Sequence, residues 1–403
     1  MSHTSSALVT ITAEFKADAP ARYAALRELG PVHRSLFSTG IEGWLVVGHD
    51  AALQALTHPA LIKNSAPSRD KLEAAGYIND RPGVGVGGNM LVADPPDHTR
   101  LRKLVAGAFS AGRTKRLAPR VQEITDGLVD ALAPRGEVDL VGAFTAPLPV
   151  AVISDLLGVP ERDRADFRTW SSHVLGKPSP EQREAGLNLN RYLADLVAAK
   201  RRDPDDALLS ALVAVSDEGD GRLSEVELVG TAVLLVVAGH ETTVNLLGNA
   251  IIALLRDPAQ ADLLRERPEL IPGAVEEFLR YDSSVEHATP RYAAEDLVIA
   301  GTPIARGEVV MVALSSASRD TPVPGDPAVL DVTRDGVRHL SFGHGIHYCL
   351  GAPLARLEAT IALETLLRRI PDLRPAVPLD DLEWVPSGIM RGPLSLPVRF
   401  TPS

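Results

Sequence analysis

The stretch TAVLLVVAGHETTVNLLGNAIIALL, Thr231 to Leu255, limits the folds open to this chain more than any other. It is apolar and long enough to cross a bilayer. Yet His240, Glu241, Thr242, Thr243, Asn245 and Asn249 interrupt its middle, where polar and ionisable groups are most expensive in lipid. An apolar helix with polar groups at its centre belongs inside a large soluble domain, covered by other helices. The chain has 403 residues, 45% hydrophobic and 23% charged, which is enough material for such a core.

Most of the remaining sequence has helical spacing. Ala19–Gly30 stops at Gly30-Pro31, and His49–Pro59 follows a strand-like Glu42–Gly48. Asn64–Leu91 reads as a long loop, rich in glycine from Gly83 to Gly88, the composition of a lid. Helical patterns follow at Thr99–Phe109, Arg113–Leu132, Pro149–Leu157, Glu161–Val174 and Pro180–Arg201, then at Pro258–Glu266 and Pro268–Tyr281. Glu295–Val312 alternates and turns at Ala300-Gly301, as a small hairpin sheet does. A long helix follows at Gly351–Pro371, and the tail Gly388–Phe400 returns to strand. No repeat or flexible linker breaks the pattern. The expectation is one domain over 1–403, mainly α with a minor β part.

The net charge of −11 argues against a nucleic-acid binder. The N-terminal MSHTSSALVTITAEFKADAP lacks a basic stretch followed by an apolar run, so no secretory signal is expected and the cytoplasm is the expected location. Cys349 is the only cysteine, which excludes an internal disulfide and a Cys-pair zinc site.

That cysteine lies in FGHGIHYCLG, Phe342 to Gly351, just before the helix that contains Ala352. A thiol near a helix N-terminus meets free N–H groups and the positive end of the dipole, both of which favour thiolate. Gly343, Gly345 and Gly351 allow close approach, and Phe342 offers a flat apolar wall. Three readings fit these facts: a structural core cysteine, a nucleophile with His347 as base, or a thiolate held against something large and flat. The spacing Phe-Gly-x-Gly-x-His-x-Cys-x-Gly is met at every fixed position. It resembles the haem-ligand loop of the cytochrome P-450 family, the haem-thiolate monooxygenases. The resemblance implies haem b with Cys349 as the iron ligand, whose thiolate pushes electron density towards the metal. It also implies a triangular-prism fold, with haem between the long central helix and the helix after the Cys loop.

Other stretches resemble the same family. Glu277 and Arg280 of EEFLRY lie three apart on one helical face; with Arg334 of LDVTRD they match a buried charge network that supports the haem's proximal side. AGHETT places Ala238, Gly239, Glu241 and Thr242 where the family's central helix crosses the haem's distal face. There the acid and the alcohol relay protons so that the O–O bond cleaves heterolytically, with Thr242 rather than Thr243 as the alcohol. His98 and Arg102, four apart in DPPDHTRLRKLV, match partners of one haem propionate; Arg291 and His347 match those of the other.

The resemblance extends from the N-terminal helix to the last strands and favours soluble bacterial members, such as those of actinomycetes, that oxidise macrolides and other secondary metabolites. It implies that one atom of O2 enters a large, mostly apolar molecule by hydroxylation or epoxidation, in antibiotic biosynthesis or a related pathway; a steroid or terpenoid is the alternative. The recognition segments would be Asn64–Leu91, the region around Arg168–Asn190, Val236–Leu246, Val285–Pro290 and Ser387–Arg391, with Leu91, Val237, Ala238, Val285, Ala288, Ile389 and Met390 lining the pocket and Glu286 and His287 as polar contacts. The length leaves no room for a fused reductase domain, so electrons are expected from a ferredoxin or flavodoxin with its reductase. Lys103, Arg113, Lys115, Arg116 and Arg356 are candidates for its docking face. A monomer with no membrane partner is expected. A non-catalytic recruitment module of the same fold would be expected to lack the cysteine or the Glu-Thr pair, and a peroxide-driven enzyme the Glu-Thr pair; this chain keeps both.

Overall fold

The computed structural model describes residues 8–76, 88–108, 111–174, 179–217 and 223–403. The chain is mainly α with a minor β part. It divides into two compact units. One holds the described residues of 1–79, 245–349 and 373–398; the other holds those of 80–244, 350–372 and 399–403.

The first unit is built around a six-stranded mixed sheet. Its strands run Val9–Thr10, Val32–Leu36, Glu42–Val46, Val309–Val312, Arg291–Ala293 and Leu61–Ile62 across the sheet. Trp44 pairs with Arg34 on one side, antiparallel, and with Val310 on the other, parallel. Gly43 is required there, because a Cβ would lie 2.4 Å from the Val309 carbonyl oxygen. Leu297–Ile299 and Thr302–Ile304 form a separate hairpin closed by Ala300 (φ 47°) and Gly301 (φ 82°), a two-residue turn whose twist matches its strands. Helices His49–Thr57 and Leu314–Arg319 add Ala51, Ala52, Ala55, Leu56 and Leu314 to a core shared with Val46, Val310, Val312 and Ile299.

The second unit is almost entirely helical. Pro180–Arg202 packs on Arg164–Val174, Leu208–Asp217 and Glu225–Gly239, and Ala352–Arg369 packs on Ala118–Leu132. The Glu225–Gly239 helix opens with a capping box. The Ser224 hydroxyl accepts from the Glu227 N–H at 3.3 Å, and the Glu227 carboxylate accepts from the Ser224 N–H at 2.8 Å.

Several expectations are corrected. The Asn64–Leu91 loop contains a helix, Arg69–Ala74, and short 3₁₀ turns at Ala66–Ser68 and Met90–Val92; the lid residues Gly83 to Val86 and Gly87 lie outside the described residues, as do 175–178 of the segment around Arg168–Asn190. Arg113–Leu132 is two helices, Ala111–Arg116 and Ala118–Leu132, with Pro119 in the first turn of the second, where proline is tolerated. Leu208–Asp217 is a helix that the sequence reading passed over, since a short apolar run carries little periodic signal. The tail has only Pro397–Arg399 as a strand of this segment. The central helix is two, Glu225–Gly239 and Glu241–Arg256, broken at His240.

Candidate active site

In the first unit, Phe342 to Cys349 forms a tight loop. The Cys349 N–H donates to the Phe342 carbonyl at 2.9 Å, and the Gly343 N–H donates to Leu340 O at 2.7 Å. Gly343 and Gly345 have φ of 73° and 74°, the left-handed region that glycine enters without strain. A Cβ on Gly345 would also press the Leu56 carbonyl and the Thr57 methyl at 3.3 Å each. Gly345–His347 is a 3₁₀ turn, with His347 half-buried. Cys349 is exposed, which removes the core-cysteine reading. Arg291 is buried at the start of a sheet strand, and its guanidinium reaches the same Leu56 carbonyl at 3.5 Å.

Behind that loop in sequence, and in the same unit, Glu277, Arg280 and Arg334 meet. Arg280 binds Glu277 through two hydrogen bonds, Nε–Oε2 at 2.7 Å and Nη2–Oε1 at 2.8 Å. Arg334 Nε lies 3.2 Å from the same carboxylate, which also accepts from the Asp331 N–H at 3.1 Å. Further guanidinium hydrogen bonds go to the carbonyls of Pro324, Asp326, Pro327 and Val329. All three side chains are buried, and all are matched, which is the condition under which buried charge is tolerated.

The second unit carries AGHET. The end of the Glu225–Gly239 helix leaves carbonyls without intrahelical donors, and side chains from the break supply them. His240 Nδ1 donates to Val236 O at 2.8 Å, and the Thr242 hydroxyl donates to Ala238 O at 2.9 Å. Gly239 admits the Pro147–Leu157 helix, since a Cβ would meet Ile153 Cδ1 at 3.3 Å. His240 is buried, and burial pushes its pKa down, leaving a neutral ring whose Nε2 lies 4.0 Å from Glu241 Oε2. The surrounding helix is mostly core, yet Ala238 is exposed and Val237, Gly239, Glu241 and Thr242 are half-exposed. His98 and Arg102 sit on the Asp97–Ala108 helix; His98 is buried, and its pKa is lowered by burial first and by the Arg102 charge second. Leu91 is half-exposed in the Met90–Val92 turn. Gly351 caps the Ala352–Arg369 helix with an ordinary φ of −81°.

One expectation fails on geometry. Glu286 and His287 do not face a pocket. Both are fully buried, held by Lys16, Tyr23 and Gly388. Their chain neighbours Val285 and Ala288, and Ile389 and Met390 of the facing turn, are half-exposed. Three residues carry unforeseen roles. His240 and Tyr23 close hydrogen bonds as above, and Glu358 is a buried acid in the Ala352–Arg369 helix. Only the polar break inside an apolar helix was a readable sign of the first.

The donor set fits haem. An exposed sulfur stands in a loop that glycines hold in shape, and a buried arginine binds the Leu56 carbonyl beside Gly345. Within the second unit, His98 is buried on the Asp97–Ala108 helix, with Arg102 four residues further along it. A sequence model of the cytochrome P450 family matches residues 150–371. The chain is 46% identical to the vitamin D(3) 25-hydroxylase of Pseudonocardia autotrophica over 381 residues, covering 94% of this chain and 93% of that protein. It is 41% identical to the mycinamicin IV hydroxylase/epoxidase of Micromonospora griseorubida over 382 residues, covering 94% of each. The solved structure of the tirandamycin C-bound P450 monooxygenase TamI matches with a TM-score of 0.89 and 43% identity, covering 97% of this chain and all of that one. With the cysteine loop, the acid–alcohol break and this degree of likeness over almost its whole length, the chain belongs to the cytochrome P450 family and is a haem-dependent monooxygenase.

Proposed function

We propose that Cys349 is the thiolate ligand of haem b, and that the enzyme inserts one atom of O2 into a large, mostly apolar natural product of the macrolide class. The observation that carries this reading is the glycine-shaped loop that leaves Cys349 exposed. Residues 1–403 act as one catalytic domain.

His98 and Arg102 would hold one propionate and Arg291 and His347 the other, each through charge-assisted hydrogen bonds. Phe342 would lie against the ring, and Gly343, Gly351, Ala238 and Gly239 would give it room. Bound haem supplies the activation of dioxygen and the transfer of oxygen to substrate. The chain supplies protons and position. The Thr242 hydroxyl has its own hydrogen committed to the Ala238 carbonyl, so its lone pairs are open to a water that donates. The half-exposed Glu241 carboxyl takes protons from solvent and passes them inward. His240 stays neutral beside it.

Leu91 and Val237 are half-exposed and Ala238 is exposed in the second unit, and Val285, Ala288, Ile389 and Met390 are half-exposed in the first, apolar side chains that suit a bulky apolar substrate. The relative that hydroxylates and epoxidises mycinamicin IV and the TamI complex with tirandamycin C support a natural product over a small metabolite. Electrons come from a ferredoxin or flavodoxin. Lys103, Lys115 and Arg116 are exposed and Arg356 is half-buried, all in the second unit, and they suit an acidic partner; the Arg113 side chain lies outside the described residues. The Glu225–Arg256 run is long and apolar enough to cross a membrane by length and composition alone. Its break at His240 and its buried Asn245 and Asn249 fit a core helix instead, and we place the enzyme in the cytoplasm as a monomer.

The test is the ferrous–carbon monoxide difference spectrum of the haem-loaded protein. A strongly red-shifted Soret band is expected, and Cys349→His is expected to lose both that band and the activity. Retention of the band in Cys349→His would remove the ligand assignment.

A further inference from the structure

The segment Val285 to Ala288 runs between two neighbours in the first unit. The Glu286 and His287 N–H groups donate to Ile389 O at 2.8 and 3.1 Å, and the Ala288 N–H donates to Val312 O at 2.9 Å. Val285 and Met390 form an isolated bridge. The four half-exposed apolar residues Val285, Ala288, Ile389 and Met390 therefore share one small framework.

A buried polar network stands behind it. Lys16, from the helix Ala13–Ala17, lies 3.1 Å from Glu286 Oε2 and donates to the carbonyls of Met390, at 2.9 Å, and Ser387. The two carbonyl contacts are hydrogen bonds, and the third is an ion pair. Tyr23 donates to Glu286 Oε1 at 2.9 Å and lies 2.8 Å from His287 Nε2, while His287 Nδ1 donates to Gly388 O at 3.0 Å. Arg391 closes the set, with Nε 2.8 Å from Asp282 Oδ1 and Nη1 on the Lys16 carbonyl. Lys16, Tyr23, Glu286 and His287 are all almost wholly buried.

Apolar residues would fill that space at no loss of stability, because a buried ion pair barely repays its desolvation. What a buried set of hydrogen bonds and ion pairs adds is a fixed position. Here the position fixed is that of the Ser387–Met390 turn and the extended Val285–Ala288 segment. We propose that Lys16, Tyr23, Glu286 and His287 are positioning residues for substrate specificity, setting the wall formed by Val285, Ala288, Ile389 and Met390. The inference rests on the reading of those four as substrate-lining.

The test uses the haem-loaded enzyme and two azoles that report on haem by a red-shifted Soret band. Ketoconazole is large enough to touch the wall; imidazole is not. Lys16→Met and Glu286→Gln are expected to change ketoconazole affinity by about tenfold or more and imidazole affinity by less than about twofold, with an unchanged carbon monoxide spectrum. Tyr23→Phe removes one hydroxyl from a well-packed ring, and carries the test if the charge variants do not fold; a change of about threefold confined to ketoconazole is expected. Equal effects on both azoles, or none on either, in these variants overturn the proposal. Ile389→Ala and Met390→Ala separate the two ways to fail. If they shift ketoconazole and the network variants do not, the positioning role is wrong. If they too leave it unmoved, the wall reading is wrong and the proposal falls with it.

Discussion

Thr242 and Cys349 are small side chains whose chemistry depends on what their neighbours leave open. The Thr242 hydroxyl is bound at 2.9 Å to a carbonyl that the helix break exposes, so its geometry is set before any ligand arrives. Thr242→Ala removes the hydroxyl without disturbing a packed core, since the residue is half-exposed. The variant is expected to keep the haem spectrum and to bind substrate. It should divert electrons to hydrogen peroxide, with product per NADPH falling by about 100-fold, the lower end of proton-transfer contributions. Product yield per NADPH equal to wild type would show that another group delivers the proton. Residue types and their spacing made these positions legible. Cys349, Glu241 and Thr242 sit in short motifs whose chemistry is local. Glu286 and His287 looked like pocket residues by position alone, and their contacts in the fold place them elsewhere.

Elements meet through their exceptions as much as through their stripes. The Ile271–Tyr281 helix is amphipathic, and Glu277 and Arg280 stand on its buried side. They bind the irregular segment Pro324–Arg334, which has little regular structure to hold it and is fastened by guanidinium-to-carbonyl bonds. Glu277→Gln would leave two buried guanidiniums facing a neutral amide. Breaking a buried pair in this way costs about 3–5 kcal/mol. The variant is expected to lose most of its haem and to unfold at a clearly lower temperature; a melting temperature within a few degrees of wild type would show that the trio is dispensable. The break at His240 is the second exception. Helical periodicity runs through AGHETT without a sign of it. The break follows from side chains that take over the Val236 and Ala238 carbonyls, and a glycine at which a neighbouring helix comes close.

Burial across the whole molecule changes charge states that composition cannot report. Glu358 lies on the buried side of the Ala352–Arg369 helix, its Oε2 has no hydrogen-bond partner, and burial pushes its pKa up from 4.5 to about 8. The folded protein thus binds this proton more tightly than the unfolded chain does. Stability contributed by the proton is full below about 4.5, declines as pH rises, and is lost above about 8. A shift of that size corresponds to about 5 kcal/mol as an upper bound. Glu358→Gln keeps the neutral shape without the titration. It is expected to flatten the loss of melting temperature between pH 6 and about 9 and to be the more stable protein at the alkaline end. Parallel curves for the two proteins would show that Glu358 does not titrate in this range.

The sequence by itself determined the motifs whose chemistry is contained in a few consecutive residues: the glycine-spaced Cys349 loop, the Glu-Thr pair, the Glu277–Arg280 turn, and the helical stripes that make most of the chain α. Local spacing suffices there because covalent neighbours set the geometry. Only the tertiary structure decided which polar residues are buried and what they face. Tyr23 and Glu286 are 263 positions apart, and Lys16 and Ser387 are 371 apart. No periodicity connects residues so distant, since their contact is created by packing the rest of the chain between them. The desolvation that lifts Glu358 and keeps His240 neutral arises from that same packing, and so was legible only once the chain had folded.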